Sequence, residues 1–168
     1  MSNYYTFVCS LPYLNFEGEP PMSPDEFIER AAPWLSEEEL KALTNPDAKF
    51  DVAAEWALWE RSMRSAVAQV RAAKLGKEFQ ADRLNTEVMD GATRQGIAEL
   101  YKSGEPLKIE RGLDLICFSH LDEMSAGHFF DYTAVFCYFK KLNILWRWKC
   151  LDDLKGREVL KNSCLVKS

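Results

Sequence analysis

The sequence has little of what most enzyme active sites require. It contains only two histidines, and it lacks the GxSxG, Walker A and GxGxxG motifs that mark common nucleophile and phosphate sites. Its five cysteines form no CxxC pair, and most of them lie among apolar neighbours. Such cysteines are typical of reduced, buried thiols in a cytosolic protein rather than of a disulfide framework. We therefore expect a protein without catalytic residues, bound metal or cofactor.

Long apolar runs are absent as well. The best candidate for a membrane span, Phe129 to Phe139, contains Asp131 and stops at a pair of lysines, so it has about half of the ~20 residues that a bilayer requires. The first residues lack a basic segment, and Pro12 interrupts the early apolar run, which argues against a signal peptide. These observations predict a cytoplasmic protein that is peripheral to a membrane only through its partners.

No stretch of the chain shows a convincing alternation of β-branched and polar residues, which argues against strands. The hydrophobic content of 47% and the charged content of 28% are ordinary for a soluble globular protein. Five tryptophans and ten phenylalanines favour a packed helical core or a protein-binding face over disorder. Because 168 residues suit one domain with its own core, we predict a single all-α domain over residues 1–168.

Start signals predict the helices of the first third of the chain. A short element over residues 3–14 is expected to be a helix or an extended segment. The patterns SPDEF and SEEEL begin at Ser23 and Ser36, and both have the serine and glutamate spacing of a capping box. They predict a pair of small helices within residues 24–44, over 24–35 and 37–44.

The longest helix is predicted over residues 50–79, where proline is absent and the only glycine is Gly76. Its apolar residues recur in alternating steps of four and three, which is the pattern of an a/d seam. The members of this seam are Val52, Trp56, Trp59, Met63, Ala66, Val70 and Ala73. The opposite side carries basic residues, and a homodimer through Trp56 and Trp59 is an open alternative.

Further helices are predicted over residues 93–164. The first follows a break near Asp90-Gly91, and Pro106 opens the second, in which Gly112 can allow a close helix crossing. The predicted ranges are 93–102, 106–124, 128–150 and 151–162. The whole pattern indicates a multi-helix bundle with two long central helices, at about 50–79 and 128–150, and shorter capping helices.

Charge is unevenly distributed along the chain, whose net charge is −5. Residues 1–60 carry three basic and twelve acidic side chains, whereas residues 140–168 carry eight basic and three acidic ones. An acidic protein is a poor candidate for nucleic-acid binding. Two poles of opposite sign favour oriented docking onto a charged protein partner. An unevenly charged but simply solvated surface explains the same distribution.

Zinc-site residue types occur around one helix corner, at His120, Asp122, Glu123 and His128. Their spacing fits no standard zinc pattern, so structural roles are the stronger interpretation, and a metal-dependent enzyme is the weaker alternative. Glu110 and Asp114 lie one helical turn apart and could share a proton or a divalent ion. A solvated face with ion pairs to Lys108 and Arg111 is the expected arrangement.

Three stretches resemble a bacterial family of uncharacterised proteins encoded beside V-type ATPase subunits: YYTFVCSLPYLNF…PPMSPDEFIERAAPWLSEEEL, WERSMRSAVAQVRAAKLGKE and HFFDYTAVFCYFKKLNILWRWKCLDDLKG. The segment from Tyr138 to Lys149 is also distantly similar to the closing helices of the V-type ATPase C/d subunit. That subunit is all helical and lies between the rotor shaft and the proteolipid ring. The resemblance implies a non-catalytic accessory or stalk-type subunit whose partners are V-type ATPase subunits.

The helix over residues 128–150 then has two predicted faces. Phe139, Leu142, Leu145 and Trp146 are expected to face the helical core. The side chains expected to face outward, as candidates for touching an acidic partner, are Lys140, Lys141, Arg147 and Lys149. Arg64 and Arg71, on the basic side of the longest helix, complete the predicted interaction residues. A stand-alone regulatory interaction domain is the alternative function.

Overall fold

The computed structural model describes residues 4–45, 50–77 and 88–151, and these residues form seven helices and no strands. The all-α prediction is therefore confirmed for the part of the chain that is described. The helices are α1 (Tyr4–Ser10), α2 (Pro24–Ala31), α3 (Glu37–Thr44), α4 (Asp51–Lys74), α5 (Gly91–Lys102), α6 (Pro106–Met124) and α7 (Tyr132–Lys149).

The predicted helix starts coincide with side-chain caps. The Ser23 hydroxyl accepts a hydrogen bond from a backbone N–H of α2. Ser36 and Glu39 form a complete capping box, because each side chain accepts a hydrogen bond from the other residue's backbone N–H. Asp90 caps α5 by accepting from the backbone N–H of Thr93 at 2.8 Å. The break predicted near Asp90-Gly91 is thus the start of α5.

Several helix ends differ from their predicted positions, among them the end of α2, which lies at Ala31 instead of residue 35. The long helix ends at Lys74 because Gly76 adopts a left-handed φ of 63°. Backbone N–H groups of the following turn then bond back to Ala72 and Ala73, as in a Schellman motif. The last long helix begins at Tyr132 because Asp131 caps it. Apart from Leu151, the helix predicted over 151–162 lies outside the described residues.

The first part of the core lies between α7 and the three N-terminal helices. Fully buried side chains include Phe27 of α2, Leu43 of α3, and Phe136 and Leu142 of α7. The Phe27 ring stacks on Tyr138 of α7, with ring centroids 5.5 Å apart. The first turn of α4 and the last turns of α6 add to this cluster. The prediction that α7 is central is consistent with this packing.

The second part of the core is formed by α4, α5 and α6, around the buried Ile97, Leu113 and Trp59. Trp59 is only 4% exposed, since it packs within the chain itself. The homodimer that we considered through Trp56 and Trp59 is therefore wrong for Trp59, whose indole is not available to a second copy.

The close helix crossing predicted at Gly112 is confirmed. A Cβ atom at this position would overlap the side chain of Leu100 on α5. The missing side chain thus allows α5 and α6 to approach each other. Helix α4 meets α6 through side chains, among them Met63 with Cys117 and Trp59 with His120.

The apolar stretch Phe129 to Phe139 divides between two environments. Phe129 and Phe130 are exposed in the turn before α7, whereas Val135, Phe136 and Phe139 are buried inside it. Among the helices of residues 4–45, 50–77 and 88–151, none is both long and apolar enough to cross a bilayer.

Candidate protein-interaction surface

An open groove of about 610 Å³ runs between α4 and α6. We call it the α4–α6 groove. Its α4 side is one continuous helical stripe, because the lining residues recur every three or four positions. These residues are Glu60, Met63, Arg64, Val67, Ala68, Arg71, Ala72 and Leu75, and Lys77 follows in the next turn. Residues at this spacing lie on one face of a helix, so the stripe is about 22 Å long from its first to its last member.

The α6 side of the groove is shorter and consists of Glu110, Leu113, Asp114 and Cys117. These positions also share one helix face. Leu113 is buried in the same core cluster as Met63 of α4, and both line the groove. Apolar and small side chains therefore form the floor, while charged side chains stand along both edges.

Positive charge dominates the α4 edge. The seventeen residues from Arg61 to Lys77 contain five basic side chains and no acidic one. They are Arg61, Arg64, Arg71, Lys74 and Lys77. The basic residues of the last turn of α4 suit the negative end of its helix dipole. Of the five, Arg64, Arg71 and Lys77 line the groove together with Glu60, and the carboxylates of Glu110 and Asp114 on the α6 edge bring the charge of the lining into balance.

Arg71 joins α4 to two other helices. Its Nε donates to the Tyr101 hydroxyl of α5 at 2.9 Å, and its Nη2 lies 3.8 Å from a carboxylate oxygen of Glu110 on α6. Lys74 donates to the backbone carbonyl of the same tyrosine. Arg71 therefore joins the two sides of the groove, and its predicted role as an interaction residue stays a prediction.

Arg64 is far less committed to the fold. Its side chain is 72% exposed and, among the described residues, it forms an ion pair only with Glu60, one turn earlier on its own helix, at 2.7 Å. An exposed pair of this kind contributes about 0.3–0.5 kcal/mol. Arg64 is thus exposed at the groove edge, and its predicted role as an interaction residue stays a prediction.

The prediction that Lys140 and Lys141 face outward is wrong. Lys140 is partly buried, where its Nζ donates to the Leu43 carbonyl at 3.1 Å and lies 5.0 Å from the Phe136 ring centroid. Removal from solvent lowers the pKa of Lys140. Lys141 is 12% exposed and pairs with Asp122 of α6. Long lysine side chains cover apolar surface in this way, so these two residues stabilise packing instead of forming a free charged face.

Arg147 and Lys149 are exposed, as predicted. Arg147 also pairs with Asp114 of α6, whose carboxylate is 13% exposed and accepts a second hydrogen bond from the Trp148 indole at 2.7 Å. Asp114 therefore connects α7 to one edge of the α4–α6 groove. Phe139, Leu142 and Leu145 are buried, which confirms their core-facing positions, whereas Trp146 is only partly buried.

Glu110 and Asp114 do not act as a pair. Glu110 lies against Arg71 of α4, whereas Asp114 binds Arg147 and Trp148 of α7. The expected partners Lys108 and Arg111 are engaged elsewhere, with Glu105 and Glu17 respectively. The two carboxylates of this helix face thus stabilise two different helix contacts.

Of the four side chains considered for a metal site, His120 and Glu123 lie together, with 3.4 Å between Nδ1 and a carboxylate oxygen, while the others have partners elsewhere. His120 stacks on Trp59 with ring centroids 4.1 Å apart, and His128 Nδ1 lies 2.6 Å from an Asp131 carboxylate oxygen. Asp122 pairs with Lys141. Within the three described ranges, no group of three or more His, Cys, Asp or Glu side chains could hold a metal ion.

The two inner cysteines are poor nucleophiles. Burial raises the pKa of Cys117 and of Cys137 from 9.0 to about 12. Because the thiolate is the reactive form, both thiols stay protonated and unreactive at neutral pH. Cys117 therefore contributes to the groove as a small apolar group.

Sequence reasoning missed the long-range contacts of Arg111 and of Tyr101. The Arg111 guanidinium lies 5.0 Å from the Phe16 ring centroid and 5.4 Å from that of Trp148. The Tyr101 hydroxyl accepts a hydrogen bond from Arg71 of α4, and the Tyr101 backbone carbonyl accepts one from Lys74. Both contacts join residues far apart in sequence, and no local pattern indicates them.

Part of the chain, residues 94–166, is similar to a known protein family. The model of a family described as "Protein of unknown function (DUF2764)" matches residues 94–166. The matched range holds most of α5, together with α6 and α7, and therefore the α6 side of the groove, while the α4 stripe precedes it. No curated protein and no solved structure shows a significant match.

Proposed function

We propose that this protein is a non-catalytic accessory or stalk-type subunit that associates with a bacterial V-type ATPase and acts through protein–protein contacts. The observation that carries the interaction role is the α4–α6 groove, which combines an apolar floor with charged edges on a helical scaffold. The choice of the ATPase as partner rests on the sequence resemblance described above.

The composition of the groove supports a polypeptide partner. Protein interfaces gain affinity from a desolvated apolar centre, while charges at the rim orient the partner and speed its encounter. Met63, Val67 and Leu113 supply an apolar centre, and Arg64 supplies an exposed rim charge. Lys149 and Arg147 add exposed positive charge on α7.

The proposed location follows from the proposed partner. A V-type ATPase has its stalk on the cytoplasmic side of the membrane, and a subunit of that stalk contacts the membrane only through other subunits. We therefore place the protein in the cytoplasm, peripheral at the inner face of the membrane when it is bound to the ATPase.

A stand-alone regulatory interaction domain is the second candidate, because the α4–α6 groove supports any protein-binding role equally well. The two candidates differ only in the partner. Affinity purification of the tagged full-length protein from its native cell at low salt separates them. We expect V-type ATPase subunits in the eluate. A clean monomer without ATPase subunits, or a different stable partner, would count against the ATPase proposal.

A further inference from the structure

A cluster of exposed aromatic side chains lies where α1 and the loop after it meet the turn before α7. Its members are Tyr5, Tyr13, Phe129 and Phe130, and we call it the aromatic patch. We propose that this patch packs against the same patch on a second copy of the chain, so that the protein forms a two-fold symmetric dimer. The proposal goes beyond the proposed function, and the patch shares no residue with the α4–α6 groove.

The four rings of the aromatic patch lie next to one another. The ring centroids of Tyr5 and Phe130 are 4.7 Å apart, and those of Phe129 and Phe130 are 6.4 Å apart. Phe129 and Tyr13 line one cavity of about 360 Å³. Every other Phe, Tyr or Trp side chain among the described residues is buried or partly buried. The exposed aromatic residues of residues 4–45, 50–77 and 88–151 are therefore gathered at one corner of the molecule.

The exposed area of the patch is large enough for a dimer contact. The exposed fractions run from 48% for Phe130 to 92% for Tyr13. At about 200 Å² for a fully exposed aromatic side chain, the four residues leave roughly 500 Å² of surface in solvent. This area is near the upper end of the apolar patches that monomers expose, which is about 600 Å². Two copies together would bury roughly 1,000 Å², which reaches the lower limit of a specific interface.

The lack of free charge at the patch favours a second copy over a charged partner. Residues 4–16 contain no Asp, Glu, Lys, Arg or His. The carboxylates of Asp122 and Asp131, at the edge of the patch, have Lys141 and His128 respectively as partners. A two-fold contact brings like charges of the two copies together near its axis, so a strongly charged patch would repel itself. An uncharged surface avoids this repulsion and offers little attraction to a charged partner.

Hydrogen bonds hold the backbone on both sides of the patch. In the turn before α7, the His128 backbone N–H donates to the Ser125 carbonyl at 3.0 Å, and the Asp131 side chain caps the helix. The loop after α1 is held by Tyr138, whose hydroxyl donates to the Pro12 carbonyl at 2.9 Å. Aromatic side chains on an ordered backbone lose little conformational entropy when they bind, so they are suited to the centre of an interface.

Analytical ultracentrifugation of the full-length protein tests the dimer. We expect a shift from monomer to dimer between about 1 µM and about 200 µM, because an interface of this size is weak. The double variant Phe129→Ser, Phe130→Ser should weaken the dimer by about ten-fold or more. The matched control is Leu107→Ser, Leu151→Ser, which replaces two exposed apolar side chains at the opposite ends of α6 and α7. Circular dichroism shows whether each variant is folded.

Two native cysteines report the position of the contact without any substitution. Cys9 is exposed on α1, one helical turn after Tyr5, whereas Cys150 is exposed at the end of α7. The protein is labelled with a trace of maleimide at low and at high protein concentration, and peptide mass spectrometry gives the rate at each cysteine. We expect dimer formation to slow the labelling of Cys9 by about five-fold and to leave the rate at Cys150 unchanged.

Several results would overturn the proposal. They are a monomer at every concentration, a dimer that Phe129→Ser, Phe130→Ser does not weaken, and equal protection of Cys9 and Cys150. Binding of the monomeric protein to phosphatidylcholine vesicles, abolished in this double variant, would assign the patch to a lipid surface instead. Loss of ATPase subunits from the eluate of the same variant, when the wild type is a monomer, would assign the patch to the ATPase.

Discussion

The Trp148 indole of α7 donates a hydrogen bond to the Asp114 carboxylate of α6, with 2.7 Å between Nε1 and Oδ2. Arg147 binds the same carboxylate oxygen. Asp114 is 13% exposed, so these bonds are largely screened from solvent. The contact attaches the basic end of α7 to the helix that forms one side of the α4–α6 groove.

Asp114→Ala is expected to destabilise the protein by about 2 kcal/mol, because the indole N–H and the guanidinium lose a charged acceptor. Urea unfolding followed by circular dichroism measures this loss. The matched control is Glu110→Ala, one turn earlier, where an exposed ion pair should change stability by less than about 0.5 kcal/mol. Equal effects at the two positions would show that Asp114 has no special role.

Two glycines within helices should respond in opposite directions to alanine. Gly112→Ala forces a methyl group into Leu100, so we expect a loss of about 1 kcal/mol despite the better helix propensity of alanine. Gly96→Ala in α5 meets no atom within 4 Å, so it should stabilise the protein by about 0.5–1 kcal/mol.

Thermal unfolding of the two single variants and of Gly112→Ala with Leu100→Ala tests this pair. Leu100→Ala removes the side-chain atoms that the new methyl group at position 112 would meet. The stability change of the double variant should therefore differ from the sum of the changes in the two single variants. Stabilisation by Gly112→Ala would show that α5 and α6 do not cross as closely as described.

Local chemistry made the helix starts predictable. The Ser36–Glu39 capping box and the proline at position 106 act within a few residues, so the sequence contains the whole interaction. The core-facing side of α7 was predictable for the same reason, since Phe139, Leu142 and Leu145 follow the helical period.

The surface was less predictable, because it depends on which helices pack together. Helical period places Lys140 beside the core-facing residues, but only the position of α3 shows that its ammonium group meets the Leu43 carbonyl. The α4–α6 groove is defined by a helix face that no other helix within residues 4–45, 50–77 and 88–151 covers. The regular apolar residues of α4 do not show which part of this helix the neighbouring helices cover.

Lys140 and Lys149 should respond differently to charge reversal. Lys140→Glu places an unpaired carboxylate against a backbone carbonyl in a partly buried site, so we expect a loss of about 3 kcal/mol. Lys149→Glu, at an exposed position, should cost less than about 1 kcal/mol. Chemical denaturation of both variants checks the difference. If Lys140→Glu is as stable as Lys149→Glu, Lys140 is a free surface charge.

Stability should fall at alkaline pH because of the buried thiols. Burial raises the pKa of Cys117 and of Cys137 from 9.0 to about 12. Between these values the unfolded thiols release protons that the folded thiols keep. Their contribution to stability is therefore complete below pH 9.0 and is lost as the pH rises towards about 12.

Urea unfolding between about pH 8 and about pH 10 tests this effect, with a limiting slope of about 1.4 kcal/mol per pH unit for each thiol. Cys137→Ala and Cys117→Ala should each reduce the slope, whatever they do to the stability at pH 8. If the unfolding free energy of both variants falls with pH as steeply as that of the wild type, these thiols are not buried and protonated in the folded protein.

The central claim is that the protein works by binding V-type ATPase subunits through its charged surface. The most direct measurement is the amount of ATPase subunits recovered per tagged protein from native cells, determined by quantitative mass spectrometry. We expect ATPase subunits to be recovered with the wild type and with the double variant Arg30→Glu, Lys41→Glu, a control that changes the net charge by the same amount on α2 and α3. The double variant Arg64→Glu, Lys149→Glu should reduce this recovery about ten-fold. Absence of ATPase subunits from the wild-type eluate at low salt would contradict the account.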